Sequence, residues 1–392
     1  MNELQMKEAA SKFKTPFYVF DSDVLNAQVK KIKDALQSTA KVCYAMKANP
    51  FIIAEILDTV DCFEVCSPGE FRICERANIP MEKIVMSGVY KNKDDIHYAL
   101  DTYKTDGVYT VESYNQWVLL SEYAAENKMN IKVLLRLSNG NQFGMDKSVL
   151  ESIVADRENH PYIHIEGVQY FTGTQKKPAS KIEREIRKID ALVVELKEKY
   201  GFESEKIEYG PGLPICYFDG EENVEDEMLQ ALCNAIKEMQ FKGEIVLEMG
   251  RYIAAYCGYY FTKVVDEKVN KSQPYCIIDG GVHHVNYYGQ MMAMKMPPIV
   301  HLEENKDAEE KNWSICGSLC TVNDVLVKAY PFKDLKLGDT LVFKKTGAYS
   351  STEGISLLLS RDLPQIIVYS QKDGYRVART HYATDIINYF QN

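Results

Sequence analysis

Three short segments carry residues that could do chemistry together. Lys47 closes the apolar run Tyr44-Ala45-Met46-Lys47-Ala48-Asn49-Pro50. An amine drawn out of water loses its proton more readily and becomes a nucleophile that can condense with an aldehyde. Tyr209-Gly210-Pro211-Gly212-Leu213 supplies glycines, which let backbone N–H groups come close to an anion. Glu248-Met249-Gly250-Arg251 ends the run Glu-Ile-Val-Leu-Glu with an acid and follows it with an arginine suited to a phosphate. Burying Glu248 alone would cost on the order of several kcal/mol, so it calls for a cationic partner such as a protonated ring nitrogen. Pyridoxal 5′-phosphate (PLP) joins an aldehyde, a phosphate and a pyridine nitrogen, so this one cofactor would account for all three segments. Each segment alone has a plainer reading: a strand-end lysine reaching water, a Gly-Pro-Gly turn, and a Glu248–Arg251 ion pair.

The elements that must position these groups follow from the pattern of apolar runs. Eight β-rich runs, at residues 41–46, 62–66, 83–87, 107–111, 131–137, 163–171, 206–209 and 244–248, alternate with segments of helical period. In the stretch 181–200, for example, Ile182, Ile186, Ile189, Leu192 and Leu196 recur on one face. Eight such units predict an α/β chain whose core is a (β/α)8 TIM barrel, with the chemical residues at the C-terminal strand ends where barrels carry their sites. After about residue 255 the runs 276–278, 324–329, 339–344 and 366–369 read as short strands without long helices, hence a second, β domain. Pro16 to Phe20 precedes the barrel repeats and is assigned to that domain. The expected boundaries are 24–255 for the barrel, and 1–23 with 256–392 for the β domain. Glu303 to Asn312 reads as a charged, solvated loop.

The 392 residues are 46% hydrophobic and 26% charged, enough for a large core in more than one domain. With 46 basic and 56 acidic side chains the formal charge is −10, which gives no footprint for nucleic acid. No run is long enough to span a membrane, and MNELQMKEAASKFK lacks an apolar signal core, so a cytoplasmic protein is expected. Among the ten cysteines, Cys43, Cys257 and Cys276 sit in apolar runs as buried thiols do. The C-x3-C pairs Cys62/Cys66 and Cys316/Cys320 lie far from His283 and His284, so no metal site is expected.

Taken in order, the motifs resemble those of the fold-type III PLP-dependent decarboxylases, the family of diaminopimelate, ornithine and arginine decarboxylases that shares its barrel with alanine racemase. Tyr44 to Asn49 looks like the family's cofactor-lysine motif, and Phe63-Glu64-Val65-Cys66-Ser67-Pro68-Gly69-Glu70 like its second-strand motif. Glu248 to Arg251 is similar to Glu-Pro-Gly-Arg, with Met in place of Pro. Cys320 followed by Asp324-Val325-Leu326, then Gly347-Ala348-Tyr349, looks like the catalytic-cysteine segment and the phosphate-contacting tyrosine. The resemblance implies that Lys47 takes the cofactor aldehyde and that Glu248 pairs with the ring nitrogen. It places Thr174, Gly210, Gly212, Arg251 and Tyr349 around the phosphate, with Glu64, Arg136 and Gly250 also near the cofactor. It further implies a homodimer with shared sites, in which Cys320 reaches across as the proton donor and Asp324 lies near the substrate.

Departures from the family pattern narrow the substrate. Where relatives carry a ring-stacking histidine, this chain has Phe171 in Gln169-Tyr170-Phe171-Thr172-Gly173-Thr174-Gln175; an aromatic face can still stack on the cofactor. Asp279-Gly280-Gly281-Val282-His283-His284 replaces the segment that bears Arg-Pro in diaminopimelate decarboxylase, and no arginine or acid falls between Gly280 and Leu302. The residues after Cys320, Thr321-Val322-Asn323, are neutral. These features look like a biosynthetic branch that includes a butirosin-pathway enzyme acting on a glutamyl group tethered to an acyl-carrier protein. The expectation is decarboxylation of a modified, conjugated or carrier-tethered amino acid, with His283 and His284 either beside the substrate or as a polar interface pair. Three alternatives stand beside it: decarboxylation of free diaminopimelate, ornithine or lysine; a racemase, which would place an arginine rather than Glu248 at the ring nitrogen; and a PLP-binding homeostasis protein, which would be a lone barrel.

Overall fold

The computed structural model describes residues 1–390. The chain divides into two compact units, Gln28–Ile215 with Val224–Ile253, and Met1–Ala27 with Cys216–Asn223 and Ala254–Asn392. Strand β1 (Phe17–Asp21) is followed by β2 (Lys41–Ala45), β3 (Cys62–Val65), β4 (Ile84–Met86), β5 (Val108–Val111), β6 (Ile131–Leu137), β7 (Ile163–Phe171), β8 (Lys206–Gly210) and β9 (Glu244–Met249).

Strands β2 to β9 close in sequence order into a parallel barrel, with β9 pairing back onto β2. Their near-continuous burial explains why each strand reads as an unbroken apolar run: both faces are covered, one by the barrel interior and one by helices. The helix Ala179–Tyr200 buries Ile182, Ile186, Ile189, Leu192 and Leu196, and ends on Gly201, whose left-handed φ of 61° lets its N–H reach the carbonyls of Leu196 and Lys197. The helix Tyr114–Asn127 starts where the Ser113 side chain accepts from the Gln116 N–H.

The other unit holds β10 (Gly258–Asn270), β11 (Gln273–Ile278), β12 (Ile299–His301), β13 (Glu310–Cys316), β14 (Val325–Lys333), β15 (Thr340–Lys344), β16 (Gln365–Ser370) and β17 (Gly374–Arg379). With β1 they form a nine-stranded sheet in which β1 lies antiparallel to β10 and parallel to β16. Phe17 stacks on Phe261 across that pairing, with ring centroids 4.5 Å apart, inside a cluster with Val19, Tyr259, Val342 and Ile367. Phe17–Asp21, which takes in all but the proline of the early Pro-Phe-Tyr-Val-Phe run, is thus a fully buried interior strand of a sheet made mostly from the C-terminal third of the chain.

Three readings of the sequence are corrected. Residues 216–223 were assigned to the barrel but pack with the β unit. The Tyr217 and Phe218 rings lie 5.8 and 5.9 Å from that of Tyr287, Glu221 pairs with Lys295 at 3.1 Å, and the Asp219 N–H donates to the Met296 carbonyl. The stretch 303–312 is not wholly loop, because Glu310, Lys311 and Asn312 open β13 and pair with β14, leaving only their side chains in water. The long β10 has no counterpart among the expected strands, since its second half, from Val265 on, lies wholly exposed and its Asp266-Glu267-Lys268 reads as a turn. No helix of the described residues is long and apolar enough to cross a membrane.

Candidate active site

Barrel strand order brings the acids to the lysine. Strand β2 lies between β3 and β9, with Ala45 opposite Glu64 and Cys43 opposite Glu248. Just beyond the end of β2, a short 3-10 turn over Met46–Ala48 projects Lys47. Its Nζ lies 2.7 Å from Glu64 Oε2, 3.0 Å from Glu248 Oε1 and 3.8 Å from Cys66 Sγ. Glu248 thus finds its cationic partner in Lys47. Lys47 is neither free in water nor isolated in an apolar wall, with its side chain 35% exposed between two buried carboxylates.

The electrostatics of this cluster are lopsided. Glu64, Glu208 and Glu248 are all buried and bring carboxylate oxygens within 4.8 Å of one another. Burial, and then the charge of Glu64, push Glu248 upward. Burial would raise Glu64 too, but Lys47 holds it below the usual carboxylate range. Glu208 is pushed up to about 7 by burial and by Glu64; its Oε1 accepts from Gln169 Nε2 at 2.6 Å, while its Oε2 has no partner among the described residues. One lysine facing three carboxylates leaves room for a second cation, and a ring nitrogen that takes up a proton is one.

Around the mouth, Arg136 on β6 donates to Glu112 Oε1 at 2.7 Å, just past the end of β5, and its Nε is buried without a partner among the described residues. Beyond β8 the chain turns at Gly212, where φ is +60° and a Cβ would lie 2.1 Å from the Gly173 carbonyl oxygen, so only glycine fits. Gly210 lies against the Phe171 ring at the end of β7. Arg251 Nε donates to Thr174 Oγ1 at 3.3 Å. Gly250 lets β9 approach β2, where a Cβ would stand 2.9 Å from that of Ala48. The barrel thus gathers Lys47, Glu64, Arg136, Phe171, Thr174, Gly210, Gly212, Glu248, Gly250 and Arg251 at the C-terminal ends of its strands.

The remaining sequence-derived residues belong to the β unit. Cys320 is exposed on the loop after β13. Asp324, expected near the substrate, has Oδ1 taken by the Val282 N–H at 2.8 Å and Oδ2 by the Leu319 N–H at 2.7 Å, so it braces the loop that carries Cys320. His284, also expected near the substrate, is held within the unit: Nε2 lies 2.9 Å from the Asp362 carbonyl and Nδ1 3.2 Å from the Tyr260 hydroxyl. His283 is buried with neither ring nitrogen partnered among the described residues; burial, and next Arg361, lower it to about 4. It borders a cavity of about 540 Å³ with Lys14, Arg361 and His381. Tyr349 sits at a left-handed φ of 65°, a conformation a tyrosine holds only where its surroundings impose it.

Several site residues were not singled out from the sequence. Glu112 and Glu208 carried a usable signal, an acid in or just after an apolar strand. Cys66, Gln169 and Lys176 carried none, because what marks them is their neighbours across the barrel.

The fit to PLP is shape and charge together: an amine beside two acids, an apolar ring at Phe171, and a glycine cradle beside Arg251. Residues 22–255 match the family described as the pyridoxal-dependent decarboxylase, pyridoxal binding domain. The chain belongs to that family. It is a PLP-dependent carboxy-lyase of the diaminopimelate and ornithine decarboxylase group. It is 24% identical to L-glutamyl-[BtrI acyl-carrier protein] decarboxylase of Niallia circulans over 99% of this chain and 96% of that protein. It is 26% identical to 2-[(L-alanin-3-ylcarbamoyl)methyl]-2-hydroxybutanedioate decarboxylase of Staphylococcus aureus, covering 90% of this chain and 94% of that one. The crystal structure of diaminopimelate decarboxylase from Methanocaldococcus jannaschii superposes with a TM-score of 0.88 at 26% identity, covering 98% of this chain and 94% of that one.

Proposed function

We propose that this enzyme removes the α-carboxylate of an amino acid that forms part of a larger molecule, conjugated or tethered to a carrier, and that it works as a homodimer with shared sites. The observation that carries the catalytic reading is the Lys47 amine between Glu64 and Glu248 at the barrel mouth. When bound, PLP supplies an electron sink for the pair released from the Cα–carboxylate bond. Lys47 would be the amine that takes the aldehyde, with Glu64 bonded to its Nζ. Glu248, pushed upward by burial, would hold the proton on the ring nitrogen. Gly210, Gly212, Thr174 and Arg251 would bind the phosphate, joined by Tyr349, and Phe171 would stack on the ring. Cys320, delivered from a second copy of the chain, would return a proton to Cα.

Three features support a conjugated substrate. The segment between Gly280 and Leu302 holds no arginine or acid to clamp the far end of a free diamino acid. Thr321-Val322-Asn323 beside Cys320 is neutral, with Val322 92% exposed. Two relatives are named for amino acids attached to larger groups. His283, whose ring nitrogens have no hydrogen-bond partner among the described residues, is the better candidate for a substrate contact. The second reading, decarboxylation of free diaminopimelate, ornithine or lysine, is favoured by the similarity to diaminopimelate decarboxylase.

The test is CO2 release by the PLP-loaded enzyme from glutamyl-pantetheine thioester and amide-linked amino acids, set against free diaminopimelate, ornithine and lysine, with chiral chromatography of residual substrate. Release from a conjugate is expected. Turnover of a free diamino acid with none on any conjugate would replace the proposal by the second reading.

A further inference from the structure

Beside the cradle lies a charge that no step above uses. Lys176 is 2% exposed, and its Nζ donates to Glu185 Oε2 at 2.6 Å and to the Gly210 carbonyl at 3.2 Å. Its own backbone N–H donates to the Gly212 carbonyl at 3.0 Å. One residue therefore holds the carbonyls of both cradle glycines. In a trans peptide the C=O and the following N–H point in opposite directions, so the Gly212–Leu213 peptide is turned with its N–H away from Lys176. Pro211 has no N–H to offer, which makes this orientation decide what the loop presents to an anion.

Glu185 is braced in turn. Thr172 Oγ1 donates to its Oε1 at 2.6 Å and the Tyr209 hydroxyl to its Oε2 at 2.8 Å. Nζ of Lys176 lies 5.8 Å from the centre of the Phe171 ring and 5.2 Å from that of Tyr209. The adjoining Gln175 ties the same two loops together, its side chain accepting from the Ile215 N–H at 2.6 Å and donating to the Ile215 carbonyl at 3.0 Å. A buried ion pair is weak evidence for stability, and this one sits at the junction of the Phe171–Thr174 strand end with the Gly210–Gly212 turn.

We infer that Lys176 is a positioning residue for the cofactor's phosphate, fixing the orientation of the Gly210–Gly212 loop and hence the enzyme's preference for a phosphorylated pyridoxal. This rests on the assignment of that loop and Arg251 to the phosphate. It predicts an effect confined to the phosphate end, whereas a merely structural role would weaken every ligand of the barrel alike.

The experiment titrates the cofactor-free protein with PLP and with pyridoxal, following absorbance, for wild type, Lys176→Met/Glu185→Met and Arg251→Ala. The double variant removes both buried charges and leaves neither unpaired. PLP affinity should fall about ten- to hundredfold in the double variant, with pyridoxal affinity unchanged within about twofold. Equal losses for both ligands, or no loss for either, would overturn the inference. If the double variant lacks a native circular dichroism spectrum, Lys176→Arg carries the test: a smaller PLP-selective loss is expected, and its absence overturns the inference. Arg251→Ala separates the two layers. If it fails to weaken PLP selectively, the cradle assignment itself is wrong; if it does and the Lys176 variants do not, only the role of Lys176 fails.

Discussion

At the residue scale, the barrel concentrates more acid than one lysine can balance. Glu208 is raised from 4.5 to about 7 by burial first and then by Glu64. An acid whose folded value is raised binds its proton more tightly in the folded chain, so its contribution to stability is full below pH 4.5 and lost as the pH climbs through about 7. Glu208→Gln keeps the bond to Gln169 and removes the charge. In the cofactor-free protein its unfolding free energy from urea titration should pull ahead of wild type between pH 5 and pH 8, by at most about 3 kcal/mol. An offset of the same size at both pH values would show that Glu208 does not titrate in that window. Lys47→Ala tests the site's central amine: borohydride reduction of the PLP-loaded wild type should add a pyridoxyl mass to the peptide carrying Lys47, and the variant should gain none. A pyridoxyl mass on another lysine of the wild type would move the assignment.

At the element scale, strand order converts distant positions into neighbours. Glu64 and Glu248 are separated by most of the barrel sequence, yet β3 and β9 flank β2 because the sheet closes on itself. In the β unit, the Asp324 carboxylate ties the loop from Gly317 to Asp324 by accepting from the Val282 and Leu319 N–H groups, beside the bond from the Ser318 N–H to the Gly280 carbonyl. Asp324→Ala would leave both donors without an acceptor, at about 1–3 kcal/mol for each that stays buried. Hydrogen exchange at the Leu319 amide should accelerate in this variant while β5 and β6 amides keep their protection. Unchanged exchange at Leu319 would mean that the loop is held by other contacts.

At the scale of the whole molecule, the proposal that Cys320 comes from a second copy has its own test. If each site needs Lys47 of one chain and Cys320 of another, mixing Lys47→Ala with Cys320→Ala should restore activity. Half of randomly reassorted dimers are mixed, and each holds one intact site, so recovery should approach about a quarter of the wild-type level. Cys320→Ala alone should slow turnover about a hundred- to ten-thousandfold, the range for removing a proton donor. No recovery on mixing would place Cys320 within its own chain's site or outside the chemistry altogether.

Much of this protein is written locally. Parallel strands covered on both faces must be continuously apolar, so the eight runs, and with them a barrel, follow from periodicity alone. The same logic makes Lys47 and Glu248 conspicuous, since a charge at the end of an apolar run needs a partner. Tertiary structure decided which partner. That Glu248 meets Lys47, that Asp324 is spent on backbone N–H groups, and that the His284 ring is hydrogen-bonded while neither ring nitrogen of His283 has a partner among the described residues, all depend on contacts between residues far apart in the chain. Residues 216–223 and the charged opening of β13 were misread for the same reason, because membership of a sheet is settled by the neighbouring strand. Lys176 is the extreme case: a lysine in a polar stretch of sequence, made into a buried support by the two turns that close around it.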